Sequence, residues 1–306
     1  MLKEKQDGDK LSTLEVHDII CMIGDIVVVG GVRRSALIGL SNLTDHRMRD
    51  AKTGQWYLPV QDGGNPHRML ANNSVCYTEQ PDAKTFLEEW LSLVKSGSGE
   101  RGIFNRIAAQ NQASRWGRRS ADLDYGCNPC SEIILRDKQF CNLTEVVVRP
   151  DDNLDMLKVK IEAATILGTL QSALTDFRFL RKVWKNNCEE ERLLGVSLTG
   201  IWDSEFFKAS FHGDIERLKD HAIKVNKEWA KKLGINPSTA ITCVKPSGTV
   251  SQLVNSASGC HPRHSKFYIR RVRNDIKDPL AKVMIDAGIP YEVDNHNSET
   301  YVFEFP

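Results

Sequence analysis

The chain has 306 residues, of which 41% are apolar and 26% charged, and its formal net charge is +1. That balance excludes a disordered chain and leaves no global field to attract nucleic acid or an anionic membrane surface. No window approaches the roughly 20 apolar residues of a membrane span, the charged opening MLKEKQDGDK lacks the apolar stretch of a signal peptide, and eight cysteines are too sparse for a secreted disulfide framework, so a reducing cytoplasm is the expected setting.

Length allows one large domain or two ordinary ones. Ser12 and Glu15 form a capping box, and Val16, Ile19, Ile20, Ile23 and Ile26 then recur at helical spacing, which predicts a helix ended by Gly30-Gly31. Ser35–Ser41 reads as a buried strand, residues 51–68 as a Gly- and Pro-rich loop, and Asn73–Glu79 as a second strand. Asp82 caps a helix to about Lys95 with Phe86, Trp90 and Leu93 on one face, and SGSGERG follows as a turn. Phe140–Arg149 contains a strand. Leu154 to about Phe177 carries Leu157, Ile161, Ala164, Leu167 and Leu174 near period 3.6, so a long helix is expected. EEERLLGVSLTGI, residues 189–201, reads as another helix. Asp214–Leu233 is amphipathic through Ile215, Leu218, Ala222, Val225 and Trp229, with Gly234 as its stop. Thr239–Thr249 is a strand running into a Gly turn, Phe267–Arg273 a strand, Asp278–Ala287 a helix, and Thr300–Pro306 a last strand. Strands alternating with helices of this length predict an α/β fold, either an open parallel sheet or a barrel. A last strand at Pro306 with nothing after it suggests a piece of something longer.

Three cysteines cluster in YGCNPCSEIILRDKQFCNLTE, residues 125–145. Cys127-Asn-Pro-Cys130 has the spacing of half a zinc site, but the remaining ligands of a four-coordinate centre are missing nearby. A thioredoxin-like pair would open a helix, and SEIILRDKQF is a poor amphipathic helix. Inert core thiols are the bland alternative. In an extended segment, Asn128, Cys130 and Glu132 would point the same way and converge. A carboxylate beside a thiolate nucleophile is unfavourable. Beside a neutral sulfur radical it carries no such penalty, and it is then free to act as a general base on a substrate.

NPCSEI, followed eleven residues on by FCNLTEV, resembles the finger loop of ribonucleotide reductases, and the chain as a whole resembles the monomeric adenosylcobalamin-dependent (class II) ribonucleoside-triphosphate reductases. GGVRRSALIGLSN, LANNSVCYTE, SGERGIFNR, EERLLGVSLTGI and CVKPSGTVSQLVNSASGCHPRHS carry the likeness along nearly the full length. The resemblance implies part of a ten-stranded α/β barrel with a central finger loop, the chain as a single partial catalytic barrel domain over residues 1–306, and replacement of a ribose 2′-hydroxyl by hydrogen. By match, Cys130 carries the thiyl radical, Glu132 takes the 3′-hydroxyl proton, Asn128 holds ribose hydroxyls, and Cys141 is one member of the reducing pair. Adenosylcobalamin is the implied cofactor and no metal site is expected. A thioredoxin-like reductant and an allosteric deoxynucleotide are the implied partners, with no nucleic acid and no membrane.

In KPSGTVS, residues Pro246, Ser247, Gly248, Thr249, Val250 and Ser251 form an ordinary strand-turn on their own merits, not a Walker A loop; in the family this stretch holds substrate phosphates. The basic run His261, Arg263, His264, Arg270, Arg271 and Arg273 is either a solvated face or help for a triphosphate or the cofactor. Arg33 and Arg34 beside Gly30-Gly31 are either a further anion contact or surface arginines at a turn. The other cysteines read as structural. The sequence departs from the family in lacking the upstream redox partner of Cys141 and the C-terminal shuttle cysteines. A half-barrel is therefore expected, inactive alone and completed by an N-terminal complementing half. The rival readings are a glycyl-radical-type reductase of the same barrel and a nucleotide-binding remnant.

Overall fold

The computed structural model describes residues 5–29, 32–33, 35–209, 212–295 and 297–306. The chain divides into two compact units: residues up to Asn105 joined by Ser265–Pro306, and Arg106–His264. Among the described residues no helix is long and apolar enough to cross a membrane.

The first unit opens with α1 (Thr13–Asp25), capped by the reciprocal Ser12/Glu15 box that the sequence predicts. Its apolar stripe is not its buried face. Ile20, Ile23 and Ile26 are exposed, while His17, Asp18 and Cys21 are buried. The reason lies 50 residues away: the Arg68 guanidinium grips Asp18 with two hydrogen bonds of 2.6 Å and also donates to the Ala51 carbonyl. A buried ion pair of this geometry outweighs the aliphatic stripe in fixing which side of the helix turns inward. The short β1 (Val28–Val29) and β2 (Val32–Arg33) pair antiparallel. Gly30, Gly31, Arg34 and the Arg33 side chain, raised above as an anion contact, lie outside the described residues.

Strands β3 (Leu37–Asn42), β4 (Ala71–Tyr77) and β5 (Gly102–Asn105) form a parallel sheet in the order 3-4-5. β3 is half-buried rather than buried throughout. The short α2 (His46–Arg49) follows β3 and is capped by Asp45. α3 (Ala83–Ser96) starts at its Asp82 cap and stops at Gly97, φ +63. Here too the aromatic face is outward: Phe86 and Trp90 stack 6.4 Å apart in the open, and Glu89 is buried instead. Arg101 holds Glu89 through two bonds of 2.9 and 2.8 Å and donates to the carbonyls of Asn42, Leu43 and Asp45.

The second unit contains α4 (Arg106–Ser114), β6 (Gly126–Cys127), β7 (Ile134–Leu135), β8 (Asn142–Val147), α5 (Leu154–Ser172), α6 (Lys182–Glu191), β9 (Leu194–Thr199), α7 (Glu205–Ala209), α8 (His212–Leu233) and α9 (Thr249–Leu253). The expected helix over 189–201 is instead the end of α6 and then a strand. Arg192 turns the chain with φ +44, and β9 runs parallel to β8 from Asn142↔Leu194 to Val147↔Thr199. Buried on both faces, LLGVS carries no period that separates strand from helix. Residues 240–243 extend this sheet on the far side of β9, through Val196 N to Ile241 O at 2.8 Å and Cys243 N to Val196 O at 3.1 Å. α5 and α8 cover one face, where Val146, Leu157, Ile161, Leu194, Val196, Leu218 and Ala222 form the core. α5 ends at Ser172, earlier than its apolar spacing suggests, and Leu167 and Leu174 are exposed.

The chain then returns to the first unit as β10 (Arg270–Asp275), α10 (Pro279–Asp286), β11 (Tyr291–Asp294) and β12 (Asn297–Phe305), an antiparallel sheet in the order 10-12-11. The architecture is thus mixed α/β, with parallel pairs in both units.

The acidic–basic cluster on α1 makes stability pH-dependent. Burial pushes the His17 imidazole down, but hydrogen bonds to Asp18 and Cys21 outweigh it and leave the pKa at about 9, above the ordinary 6.5. A group raised on folding stabilises fully below its unfolded pKa and loses that contribution as pH climbs. Thermal melts should therefore show a loss of stability between pH 6.5 and 9 that His17→Gln removes. An unchanged basic arm in that variant would contradict the assignment.

Candidate functional site

The cysteine cluster folds as a hairpin. β6 and β7 pair Gly126↔Leu135 and Cys127↔Ile134. The loop between them is a tight turn, not an extended strand: Ser131 N donates to Asn128 O at 2.9 Å, and Ser131 sits at φ +64. Asn128, Cys130 and Glu132 therefore do not alternate along one extended face. The turn separates them by depth. Cys130 is exposed at the tip, and the Glu132 side chain is 1% exposed.

Asn128 accounts for the loop's shape. Its backbone N donates to Ile133 O at 3.3 Å, and its side-chain Oδ1 accepts from Ile133 N at 3.0 Å. The amide oxygen is thus committed to the loop, and the Nδ2 hydrogens are left as the donating end. Arg119 anchors the hairpin base: Nη1 donates to the Ile134 carbonyl at 2.9 Å, Nε and Nη2 hold Glu191 at 3.1 and 3.0 Å, and the guanidinium lies 4.7 Å from the centre of the buried Tyr125 ring.

Glu132 is the most constrained group of the site. Lys245 Nζ lies 3.2 Å from its Oε1. Its Oε2 is buried and has no partner among the described residues. A buried polar atom without a partner costs on the order of 1–3 kcal/mol. It is also a ready acceptor for any hydroxyl brought against it. Glu132 and Ile133 line a cavity of about 220 Å³ whose wall includes Arg118 and Lys219.

Two half-buried thiols share the surroundings of this pair. Burial raises the Cys141 pKa, the Glu132 charge adds to the rise, and Lys245 partly offsets it. The same causes in the same order push Cys243 up to about 12. Both thiols are therefore held protonated at neutral pH. Cys141 precedes β8 beside Leu193, whereas Cys243 lies one strand beyond β9, opposite the Val196–Ser197 level. Two strand spacings and several residues of rise put the pair beyond disulfide reach without backbone movement. Gly195 makes the close packing here feasible: a Cβ at that position would run into Leu143, Ile133 and the Cys243 sulfur.

In the Pro246–Ser251 turn, Ser247 is buried and bonds into the first turn of α9. Its Oγ accepts from Ser251 N at 3.1 Å, and its carbonyl accepts from the Ser251 and Ser258 hydroxyls at 2.5 Å each. Gly248, Thr249 and Val250 are exposed. Gly248 has φ −76 and open space where a Cβ would stand, so neither its conformation nor the protein's own packing calls for glycine there.

Three residues of the basic run, Arg263, Arg271 and Arg273, form structural pairs. In the second unit, Arg263 holds Asp203 at 3.0 and 2.9 Å and donates to Asn255 Oδ1. In the first, Arg271 pairs with Glu292 and Glu304, and Arg273 pairs with Asp294. The structure thus brings Glu132, Cys141 and Cys243 together with Lys245, which the sequence reading did not single out. A cation 113 residues from its acid leaves no local signal beyond the abrupt Lys-Pro-Ser-Gly spelling.

No family model matches the sequence. The chain is 29% identical, over 98% of its length, to the adenosylcobalamin-dependent ribonucleoside-triphosphate reductases of Lactobacillus delbrueckii subsp. bulgaricus and Lactobacillus leichmannii, and the match covers 43% of each. The corresponding protein of Lacticaseibacillus paracasei is 29% identical, with 42% of it covered. The chain therefore spans less than half the length of these relatives. Among solved structures, a B12-dependent (class II) ribonucleotide reductase matches with a TM-score of 0.69 and 24% identity, covering 98% of this chain and 44% of that one. The α subunit of the Actinobacillus ureae class Id ribonucleotide reductase matches at 0.58 and 16%, covering 90% and 56%. The likeness read from the finger loop is borne out by these relatives, and the fold is that of a ribonucleotide reductase segment.

Exposure and the burial-driven rises order the thiols. On treatment with iodoacetamide at pH 8, peptide mass spectrometry should find Cys130 and Cys260, both exposed, alkylated well before Cys243. Alkylation of Cys243 as fast as Cys130 would contradict the described surroundings.

Proposed function

We propose that this chain carries the catalytic hairpin and the phosphate turn of an adenosylcobalamin-dependent ribonucleoside-triphosphate reductase. The observation that carries the reading is the buried Glu132 carboxylate, with one oxygen paired and the other without a partner among the described residues, two residues from an exposed thiol on the same hairpin. The parent fold in this reading is the ten-stranded α/β barrel, of which the β8–β9 sheet supplies part.

The exposed tip fits an external radical source, and Cys130 is the residue that would meet it. Adenosylcobalamin, when bound, would supply radical chemistry, and Cys130 would give up its thiol hydrogen atom to it. The Cys130 sulfur then takes the 3′-hydrogen of the ribose. Glu132 Oε2 receives the 3′-hydroxyl proton, a transfer that suits a buried, water-excluded carboxylate. Asn128 donates through Nδ2 to a ribose hydroxyl. Cys141, kept protonated by burial, suits proton donation to the departing 2′-hydroxyl. Overall, two thiols and one ribonucleotide give a disulfide, one water and a deoxyribonucleotide. Cys141 is one of those thiols. Its partner, a thioredoxin-type reductant, a deoxynucleotide effector and a complementing N-terminal half complete the reading, in a cytoplasmic setting whose thiol pool regenerates the pair.

Pro246–Ser251 receives the phosphates in this reading. The open space at Gly248 supports it, because a glycine with no internal reason for its size suits close approach of a ligand.

Two measurements test the proposal. Gly248→Ala should leave the melting temperature unchanged or slightly higher, since Ala fits there without strain. In the same variant, affinity for a ribonucleoside triphosphate should fall by about tenfold, roughly 1.4 kcal/mol; equal affinity would contradict the phosphate assignment. The chain, alone and supplemented with the N-terminal part of a relative, should also be assayed with adenosylcobalamin, a dithiol and a ribonucleoside triphosphate. Deoxynucleotide formation that Cys130→Ser abolishes supports the reading. Nucleotide binding with no reduction in the supplemented assay would identify a remnant and overturn it.

A further inference from the structure

Lys245 belongs to neither the hairpin nor the phosphate turn, yet it touches one and adjoins the other. Its ammonium lies 3.2 Å from Glu132 Oε1, and it immediately precedes Pro246. The two partners are not equally buried: the lysine side chain is 30% exposed and the glutamate 1%. The cation therefore stands at the boundary between the buried acid and the open turn.

The backbone beneath Lys245 is fixed. Cys243 N is bonded to Val196 O at 3.1 Å, and the Lys245 carbonyl packs so closely on Gly259 that a Cβ there would lie 2.9 Å from it. The side chain, 30% exposed, has solvent on one side into which it can swing. A lysine arm is long enough to reach a phosphate seated on the next few residues, and an ammonium is a strong point-charge ligand for phosphate.

We propose that Lys245 is a shared cation that couples phosphate binding to the state of Glu132. With the turn empty it neutralises the buried carboxylate. When a polyphosphate occupies Pro246–Ser251, the ammonium moves onto it and leaves Glu132 with both oxygens and its full charge for the sugar hydroxyl. The arrangement gives a reason for a cation-paired base in a reductase site: the carboxylate carries its full, unneutralised charge only when a phosphorylated substrate is present. This inference rests on the phosphate assignment of the preceding subsection.

Inorganic tripolyphosphate is the probe, because it lacks a sugar and so cannot touch Glu132 as a substrate would. Calorimetric titration of the whole chain is compared for the parent, Lys245→Met, Lys245→Arg, Glu132→Gln and the double variant Lys245→Met/Glu132→Gln, with melting curves to confirm that each folds. Lys245→Met should bind about tenfold more weakly and Lys245→Arg about as well as the parent. Glu132→Gln should bind about threefold more tightly, because the lysine is released to the anion. In the Lys245→Met background the same Glu132 change should do nothing.

A gain from Glu132→Gln that persists without the lysine would mean direct repulsion rather than sharing, and would overturn the proposal. So would unchanged binding in Lys245→Met. If the parent itself does not bind tripolyphosphate, the phosphate assignment fails first, and that outcome is distinct from both.

Discussion

A carboxylate almost wholly removed from water, with one oxygen on a lysine and the other without a partner among the described residues, is the constraint around which the second unit is arranged. Taking a charge out of water costs several kcal/mol unless it is paired. Lys245 supplies that pairing from residue 245, across the β8–β9 sheet from the hairpin's place in the sequence. The hairpin, the sheet and the turn must therefore form together for the charge to be tolerated. Burial raises the Cys141 and Cys243 thiols first, and the same pair acts on them next, Glu132 adding to the rise and Lys245 offsetting part of it.

The rest of the unit holds these parts in place. α5 and α8 bury one face of β8 and β9 under aliphatic side chains. Gly195 lets the strands carry Leu143, Ile133 and Cys243 close together. Arg119 ties the hairpin base to Glu191 at the end of α6, so the tip is set by a buried, fully engaged guanidinium rather than by its own short pairing. A two-residue ladder would be marginal without that anchor.

Much of this is legible in the chain, and the failures are informative. Caps are local, so Ser12, Asp82 and the stop at Gly234 read correctly. The Cys130/Glu132 pattern is legible as chemistry because thiol and acid lie two residues apart. Non-local charge is not. α1 and α3 turn Asp18 and Glu89 inward, against their apolar stripes, because Arg68 and Arg101 reach them from distant segments. β9 reads wrongly as helix because a strand buried on both faces has no alternation to show. The extended geometry expected at the finger tip gives way to a turn because the Asn128 side chain bonds to the loop backbone. Lys245 escapes notice for the reason Arg68 does: its partner is far off in the sequence.

The most direct test is a crystal structure of the chain soaked with a ribonucleoside triphosphate. A ribose hydroxyl is expected within hydrogen-bond distance of Glu132 Oε2, with phosphates on Pro246–Ser251 and the Lys245 ammonium turned toward them. A nucleotide seated elsewhere, or Oε2 still without a ligand while the phosphates occupy the turn, would contradict it.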